Sequence, residues 1–222
     1  TLVNNLYSSD PNLNNLPVYT KIPIEDDGGP GTDTLKVDTS GGWVGTLNKD
    51  YPNSIEINMT TGIVGQTNNP NKRDSFSNIE NVTFIGSFDT LLTGDGNDNI
   101  ITGGAGNDII NTGNGNDIVI YKGEGNDTVT FGAGNDTLKG EGANDTIKGE
   151  GGNDIITGGT GDDIITGGSG NDTFNVNSGI DAITDLSDGD ILKITAGCTA
   201  NATGITAFTA TSENSSIRFG EI

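Results

Sequence analysis

One feature constrains this chain more than any other: an acidic residue recurs every nine positions, and an apolar residue follows each two places later. Aligning on the Asn-Asp pairs gives Asp98, Asp108, Asp117, Asp127, Asp136, Asp145, Asp154, Asp163 and Asp172. Single-residue insertions are read in the 98–108 and 117–127 intervals, near Thr102 and Tyr121. Asp181 and Asp190 continue the step downstream, and Asp89 and Glu80 extend it upstream. The apolar partners are Val82, Leu91, Ile100, Ile110, Val119, Val129, Leu138, Ile147, Ile156, Ile165, Phe174, Ile183 and Leu192. No position in that series is polar, which argues against a low-complexity linker. An internal period of this kind is the mark of a stacked-repeat architecture.

One unit reads as a turn and a short strand. Glycines two and four residues before the Asp, such as Gly104 and Gly106, permit positive φ and a tight turn. The Asn that precedes the Asp, such as Asn107, also tolerates the left-handed region. Three residues of period-2 alternation follow, rich in Ile, Val and Thr, and predict a very short strand. Two such half-coils of about 18 residues complete a winding whose middle strand residues point inward from both sides. Ile109, Ile118, Ile155 and Ile164 then face outward, first as strand formers and second as an apolar ribbon.

Stacking coils about 4.8 Å apart aligns the carboxylates in two columns. Neighbouring charges at that spacing repel by about 3 kcal/mol at an effective dielectric near 20. The sequence alone therefore predicts a fold that needs a cation. The formal charge of −21 across 222 residues, with 31 acidic against 10 basic side chains, points the same way. It also makes nucleic acid or an anionic membrane surface a poor partner. Carboxylates and turn carbonyls, without histidine and with a single Cys198, favour calcium over zinc or copper, and magnesium less.

At this point a family resemblance enters. "GGAGNDIIN" at 103–111, "GGTGDDIIT" at 158–166 and "GGSGNDTFN" at 167–175 resemble the RTX calcium-binding nonapeptide G-G-x-G-x-D-x-U-x. Close matches cover 94–175, and degenerate copies extend to about 75–193. The resemblance implies an all-β fold, a right-handed parallel β-roll (a β-solenoid), with several calcium ions held between successive turns on each edge. One edge would carry Asp98, Asp117, Asp136, Asp154, Asp172 and Asp190; the other would carry Asp108, Asp127, Asp145, Asp163 and Asp181. The turn glycines of these sites are Gly94, Gly96, Gly104, Gly106, Gly113, Gly115, Gly123, Gly125, Gly132, Gly134, Gly152, Gly159, Gly161, Gly168 and Gly170. Glu141, Ala143 and Glu150 stand where the pattern has glycine, so the turns at Asp145 and Asp154 are expected to bind more weakly, with the glutamates solvated. Asp181 and Asp190 lack the preceding glycines and are not expected to complete full sites. An isolated match, "GGPGTDTLK" at 28–36, puts Asp33 in a ligand position with no paired turn in sequence.

Three regions follow: a β-rich N-terminal region or cap at 1–74, the roll at 75–193, and C-terminal strands forming a cap at 194–222. "SIEINMT" alternates as a strand, with Ile55, Ile57 and Met59 on one face. "PNLNNLPVYTKIPI" reads as extended chain, and Trp43 lies in the same N-terminal region. No apolar run approaches the roughly 18 residues of a membrane span. The start at Thr1, without an initiator Met or signal-peptide pattern, is read as that of a piece of something larger.

Catalysis is not expected. The absence of histidine excludes Ser-His-Asp and Cys-His chemistry. Cys198 reads as a small buried or incidental residue, and the carboxylates are too periodic for glycosidase pairs. The expected activity is calcium binding by a module of a secreted or cell-surface protein, bacterial in type, with a structural, adhesive or surface-assembly role. Self-association or an extracellular partner goes with that role. The alternative is the non-catalytic repeat domain of a larger secreted enzyme of protease, lipase or alginate epimerase type.

Overall fold

The computed structural model describes residues 25–27, 31–38, 55–66, 73–121, 123–194, 199–202, 209–210 and 216–219. The extended stretch at 11–24, Trp43 and Cys198 lie outside them. Among the described residues every regular element is a strand, and the strands close into a β-solenoid of about six turns, a β-roll. Two parallel sheets face each other, and the chain alternates between them at each half-coil.

Strands of three residues suffice because each buries only its middle side chain. In Ile109–Asn111 the flanking residues are exposed and Ile110 is buried. Parallel register stacks these middle residues: Val82, Ile101, Val119, Leu138, Ile156, Phe174 and Leu192 in one sheet. Leu92, Ile110, Val129, Ile147, Ile165 and Ile183 stack in the other. The two rows meet as one continuous apolar core. Each buried aliphatic chain contributes about 1.5–3 kcal/mol.

Two expected inward residues are corrected. Leu91 is only partly buried and Ile100 is 42% exposed, while Leu92 and Ile101 fill the core. Asp89 and Asp98 therefore stand three residues before the core position, not two. The step at 98–108 is no insertion near Thr102. Asn99 leads Ile101 by the usual two residues, and the extra residues fall between Asp117 and Asp127 and, upstream, between Glu80 and Thr90. Val82 and the other partners keep their expected place.

The N-terminal end is built differently. Strand Ile55–Asn58 pairs in parallel with Thr90–Thr93, and then Ile63–Gln66 and Arg73–Ser77 add antiparallel neighbours. Ile57 points into the core, and Ile55 and Met59 pack against it half-buried. Thr34–Asp38 lies beneath Asn81–Ile85, which seats the strand of "GGPGTDTLK" in the stack; its first three residues lie outside the described ones. At the other end, Thr199–Ala202, Thr209–Ala210 and Ser216–Phe219 continue the parallel pairing.

Candidate metal centre

Each turn carries its Asp to the inside of the corner, immediately before the strand. Asp108, Asp117, Asp127, Asp136, Asp145, Asp154, Asp163 and Asp172 are each at most 3% exposed. Register divides them into two columns. Asp108, Asp127, Asp145, Asp163 and Asp181 form one edge, and Asp117, Asp136, Asp154, Asp172 and Asp190 form the other. Asp181 and Asp190 are buried members as well, and Gly179, at φ 103°, does stand two residues before Asp181. The register also places Asp33 and Glu80 at the foot of the second column, below Asn99. Asp33 donates its backbone N–H to Glu80 Oε2 at 2.7 Å.

Asp98 is not in the column. It is exposed, and Asn99 takes the buried position at 1% exposure. Aligning Ile100-Ile101-Thr102 with Ile109-Ile110-Asn111, rather than pairing the Asn-Asp steps, would have found this. The matching place on the other edge is held by Thr90, one residue after Asp89.

Within a column the carboxylates share one geometry. Oδ1 accepts the backbone N–H of the column residue one coil earlier: Asp117 donates to Asp136 at 2.7 Å, Asp136 to Asp154 at 2.8 Å and Asp154 to Asp172 at 2.9 Å. The other edge repeats this from Asp108 to Asp127 at 2.7 Å, Asp127 to Asp145 at 2.8 Å and Asp145 to Asp163 at 2.9 Å. The second oxygen differs: in Asp190 it accepts the Ser187 N–H at 2.7 Å, and in most of the others it has no partner. Oδ2 of Asp108, Asp117, Asp136, Asp145, Asp154, Asp163 and Asp181 is buried without a hydrogen bond. Buried polar atoms of this kind are rare in native folds and need a counterpart.

A second ladder runs outside the first, in the opposite direction. Asn135 donates its N–H to Asn116 Oδ1 at 2.8 Å, Asn153 to Asn135 at 2.7 Å and Asn171 to Asn153 at 2.7 Å. Asn107 and Asn116 begin it by donating to Asp89 at 2.8 Å and Asp98 at 2.7 Å. Asn107 is thus no left-handed turn residue, since the only non-glycine residues at positive φ among those described are Asn78, Ala143 and Glu150. Asparagine serves here as a bracket between coils.

The glycines divide. Gly113, Gly115, Gly134, Gly152, Gly159, Gly161, Gly168 and Gly170 have positive φ. Gly94, Gly96, Gly104, Gly106, Gly125 and Gly132 do not. A Cβ on Gly104 would lie 2.5 Å from the Gly86 carbonyl and 2.7 Å from the Phe84 ring, so close approach is what requires glycine there. Gly123 is crowded in the same way by Ala105, whereas Gly96 stands in open space, as the shifted register requires. Ala143 at φ 73° and Glu150 at φ 68° hold the left-handed shape without glycine. Glu141 and Glu150 are exposed.

Burial raises the carboxyls of this cluster. Asp127 is pushed up to about 8, Asp145 and Asp154 to about 7, and Asp136 to about 6. In each, burial dominates, the backbone hydrogen bond from the preceding column Asp opposes it, and neighbouring carboxylates add to the rise. Tyr121, buried at 1% exposure, has its phenol held well above its usual 10 by burial and then by Asp127. Among the described residues no three acidic side chains converge on one point. A cation in a turn would therefore draw on one carboxylate per half-coil together with turn carbonyls, a hard oxygen set that suits calcium.

The sequence profile of the RTX calcium-binding nonapeptide repeat matches four copies, at residues 85–119, 121–156, 139–174 and 148–183, the last three overlapping. No curated protein matches the chain.

Proposed function

We propose, from the match of residues 85–119 and 121–183 to the RTX calcium-binding nonapeptide repeat, that the Oδ2 atoms of the two columns are calcium ligands of this chain. The chain is a calcium-binding β-roll module. The residues read as holding the ions are Asp108, Asp127, Asp145, Asp163 and Asp181 on one edge, and Asp117, Asp136, Asp154, Asp172 and Asp190 on the other, together with turn carbonyls. Asp33 joins the foot of the second column. Asp98 is assigned to the outer bracket.

The single observation that carries the assignment is the split role of the carboxylates. Oδ1 is used up in joining two coils, and in Asp108, Asp117, Asp136, Asp145, Asp154, Asp163 and Asp181 Oδ2 is left buried without a partner. Calcium, when bound, supplies the positive charge that the aligned carboxylates lack and a bridge between coils. The aspartates fix the coil spacing through Oδ1, the turn glycines bring carbonyls close, and the apolar middle residues exclude water from behind the site.

Folding in this reading is coupled to the ion. In a low-calcium compartment the columns repel; outside the cell, where modules bind at about 10⁻⁴–10⁻³ M, the roll closes. We read the chain as part of a secreted or cell-surface protein with a structural, adhesive or surface-assembly role. Residues 1–74 serve as an N-terminal β cap, 75–193 as the roll and 194–222 as a C-terminal cap. The chain is read as non-catalytic: histidine is absent, and its recurring buried carboxylates are already engaged in holding coils together.

The test is circular dichroism of the full chain in chelator, titrated with calcium and separately with magnesium. The expected result is strand signal appearing with calcium in the range from about 0.1 to 1 mM, and at higher concentration or not at all with magnesium. A strand spectrum already complete in chelator contradicts the reading.

A further inference from the structure

Every turn has a residue at the corner just after the strand, facing the carboxylate of the same turn. Glycine holds that place at Gly103, Gly149, Gly158 and Gly167, where an added Cβ would run into Oδ2 of Asp108, Asp154, Asp163 and Asp172 respectively. At Gly103 the separation would be 2.8 Å. Tyr121 holds the equivalent corner in the turn of Asp127. Its backbone N–H bonds to Lys139 O at 3.1 Å, while Gly103 bonds to Ile120 O at 3.1 Å, so the two corners stack directly.

Tyr121 differs from an ordinary core aromatic in one respect. Its hydroxyl is buried and has no hydrogen-bond partner. Buried tyrosine hydroxyls usually find one. The ring edge lies beside Gly103, 3.6 Å from where a Cβ there would be, with Ile110 Cδ1 equally near. The charged groups that act on the phenol are Asp127, Asp145, Asp108 and Asp163, all members of one edge and none of the other. An unsatisfied donor and acceptor oxygen thus sits within the field of a column whose own Oδ2 atoms, at Asp108, Asp145 and Asp163, are equally unsatisfied.

We propose that the Tyr121 hydroxyl is an additional neutral oxygen ligand for a divalent cation on the Asp108–Asp127–Asp145 edge, whose corners at Gly103, Gly140 and Gly158 are glycine. The inference rests on the calcium reading above and deepens it. On the other edge the corresponding corners are Thr112, Phe131, Gly149 and Gly167, and the Thr112 hydroxyl is likewise buried without a hydrogen bond. Phe131, one half-coil on, is equally buried and has no oxygen to offer. The hydroxyl therefore gives one site a seat that aromatic packing alone does not require.

The experiment is isothermal titration of calcium into the full chain, wild type against Tyr121→Phe, with the tyrosine ultraviolet difference spectrum recorded alongside. The expected result is weakening of one or two of the bound ions by about threefold to tenfold. The remaining ions keep wild-type affinity, and a calcium-dependent tyrosine signal in wild type is lost in the variant. A Tyr121→Phe isotherm that superimposes on wild type overturns the inference, whatever the spectrum shows. If the variant does not fold in excess calcium, exchange of calcium for terbium in the folded wild-type chain decides: a change in the tyrosine spectrum on exchange supports the ligand role, and a spectrum that only folding changes overturns it. Wild-type chain that binds no calcium overturns the calcium reading itself and this inference with it.

Discussion

The winding that contains Thr90 and Asn99 and the windings that follow it share one backbone and differ in chemistry. At Thr90 the hydroxyl donates to Asp108 Oδ1 at 2.7 Å, and at Asn99 the side-chain amide reaches Glu80 O at 3.0 Å. Both corners are buried and are closed by hydrogen bonds within the chain. From Asp117 to Asp163 the same corners carry carboxylates, five of whose Oδ2 atoms (Asp117, Asp136, Asp145, Asp154 and Asp163) are buried and unpartnered. A coil of this shape is thus compatible with neutral corners; the acid is not needed to make the turn. In the calcium reading proposed above, it converts a self-sufficient corner into one that depends on a cation, and it does so where the array is longest.

The largest effect is expected from breaking a column. Asp136→Ala removes Oδ2 and strands the Asp117 N–H, a buried donor whose loss of a partner costs about 1–3 kcal/mol. Calorimetry should show at least one ion lost, with neighbouring sites toward Asp117 and Asp154 weakened more than those at Asp127 and Asp145. Equal loss on both edges would contradict the two-column arrangement. Next in size is Asn99→Asp, which extends the acidic column into the neutral winding. In chelator its melting temperature should fall below wild type, and saturating calcium should restore it. A fall that calcium leaves unchanged would mean that the neutral corner matters only for its hydrogen bonds.

Proton binding provides a third contrast. Column carboxyls raised from 3.8 to between about 6 and about 8 bind more protons in the folded than in the unfolded chain. Their contribution to stability in chelator is therefore fully present below pH 3.8 and is lost as pH rises through that window. Metal-free chain should gain strand signal on acidification from pH 8 toward pH 4, with the change concentrated after Asp108. A stability that instead rises with pH in chelator would show that the columns are not buried. The smallest effect is expected at Ala143→Gly and Glu150→Gly. Both residues hold left-handed φ at about 1–2 kcal/mol each. Glycine returns part of that to unfolded-chain entropy, so thermal melts in calcium should show a net gain of about 0.5–1 kcal/mol per site.

Much of the roll was legible in the sequence because its grammar is local. A glycine-rich corner, an Asp and an alternating three-residue strand all lie within nine residues, so Ile110 inward and Ile109 outward follow directly. The register at the N-terminal end was not legible from the same marks. "GDGNDNII" contains an Asn-Asp pair one place out of frame, and the isoleucine pair at 100–101 fixes the frame instead. The asparagine brackets were hidden for a different reason. Asn135 and Asn116 are joined across 19 residues, and that bond exists only once two coils are stacked. Asp33 belongs with Glu80 across 47 residues with no repeat between them, so no period connects the two. Tyr121 falls at an insertion in the array, where aligning repeats treats it as a gap rather than a corner.

Hydrogen exchange of the full chain, followed strand by strand in chelator and in calcium, addresses the dependence of the acidic windings on a cation most directly. The account predicts that amides in strands from Ile109–Asn111 through Thr173–Val176 exchange rapidly in chelator and become strongly protected with calcium. Those of Thr90–Thr93 and Ile100–Thr102 should change by a much smaller factor. Equal protection of both regions in chelator, with no further slowing on calcium addition, would contradict it.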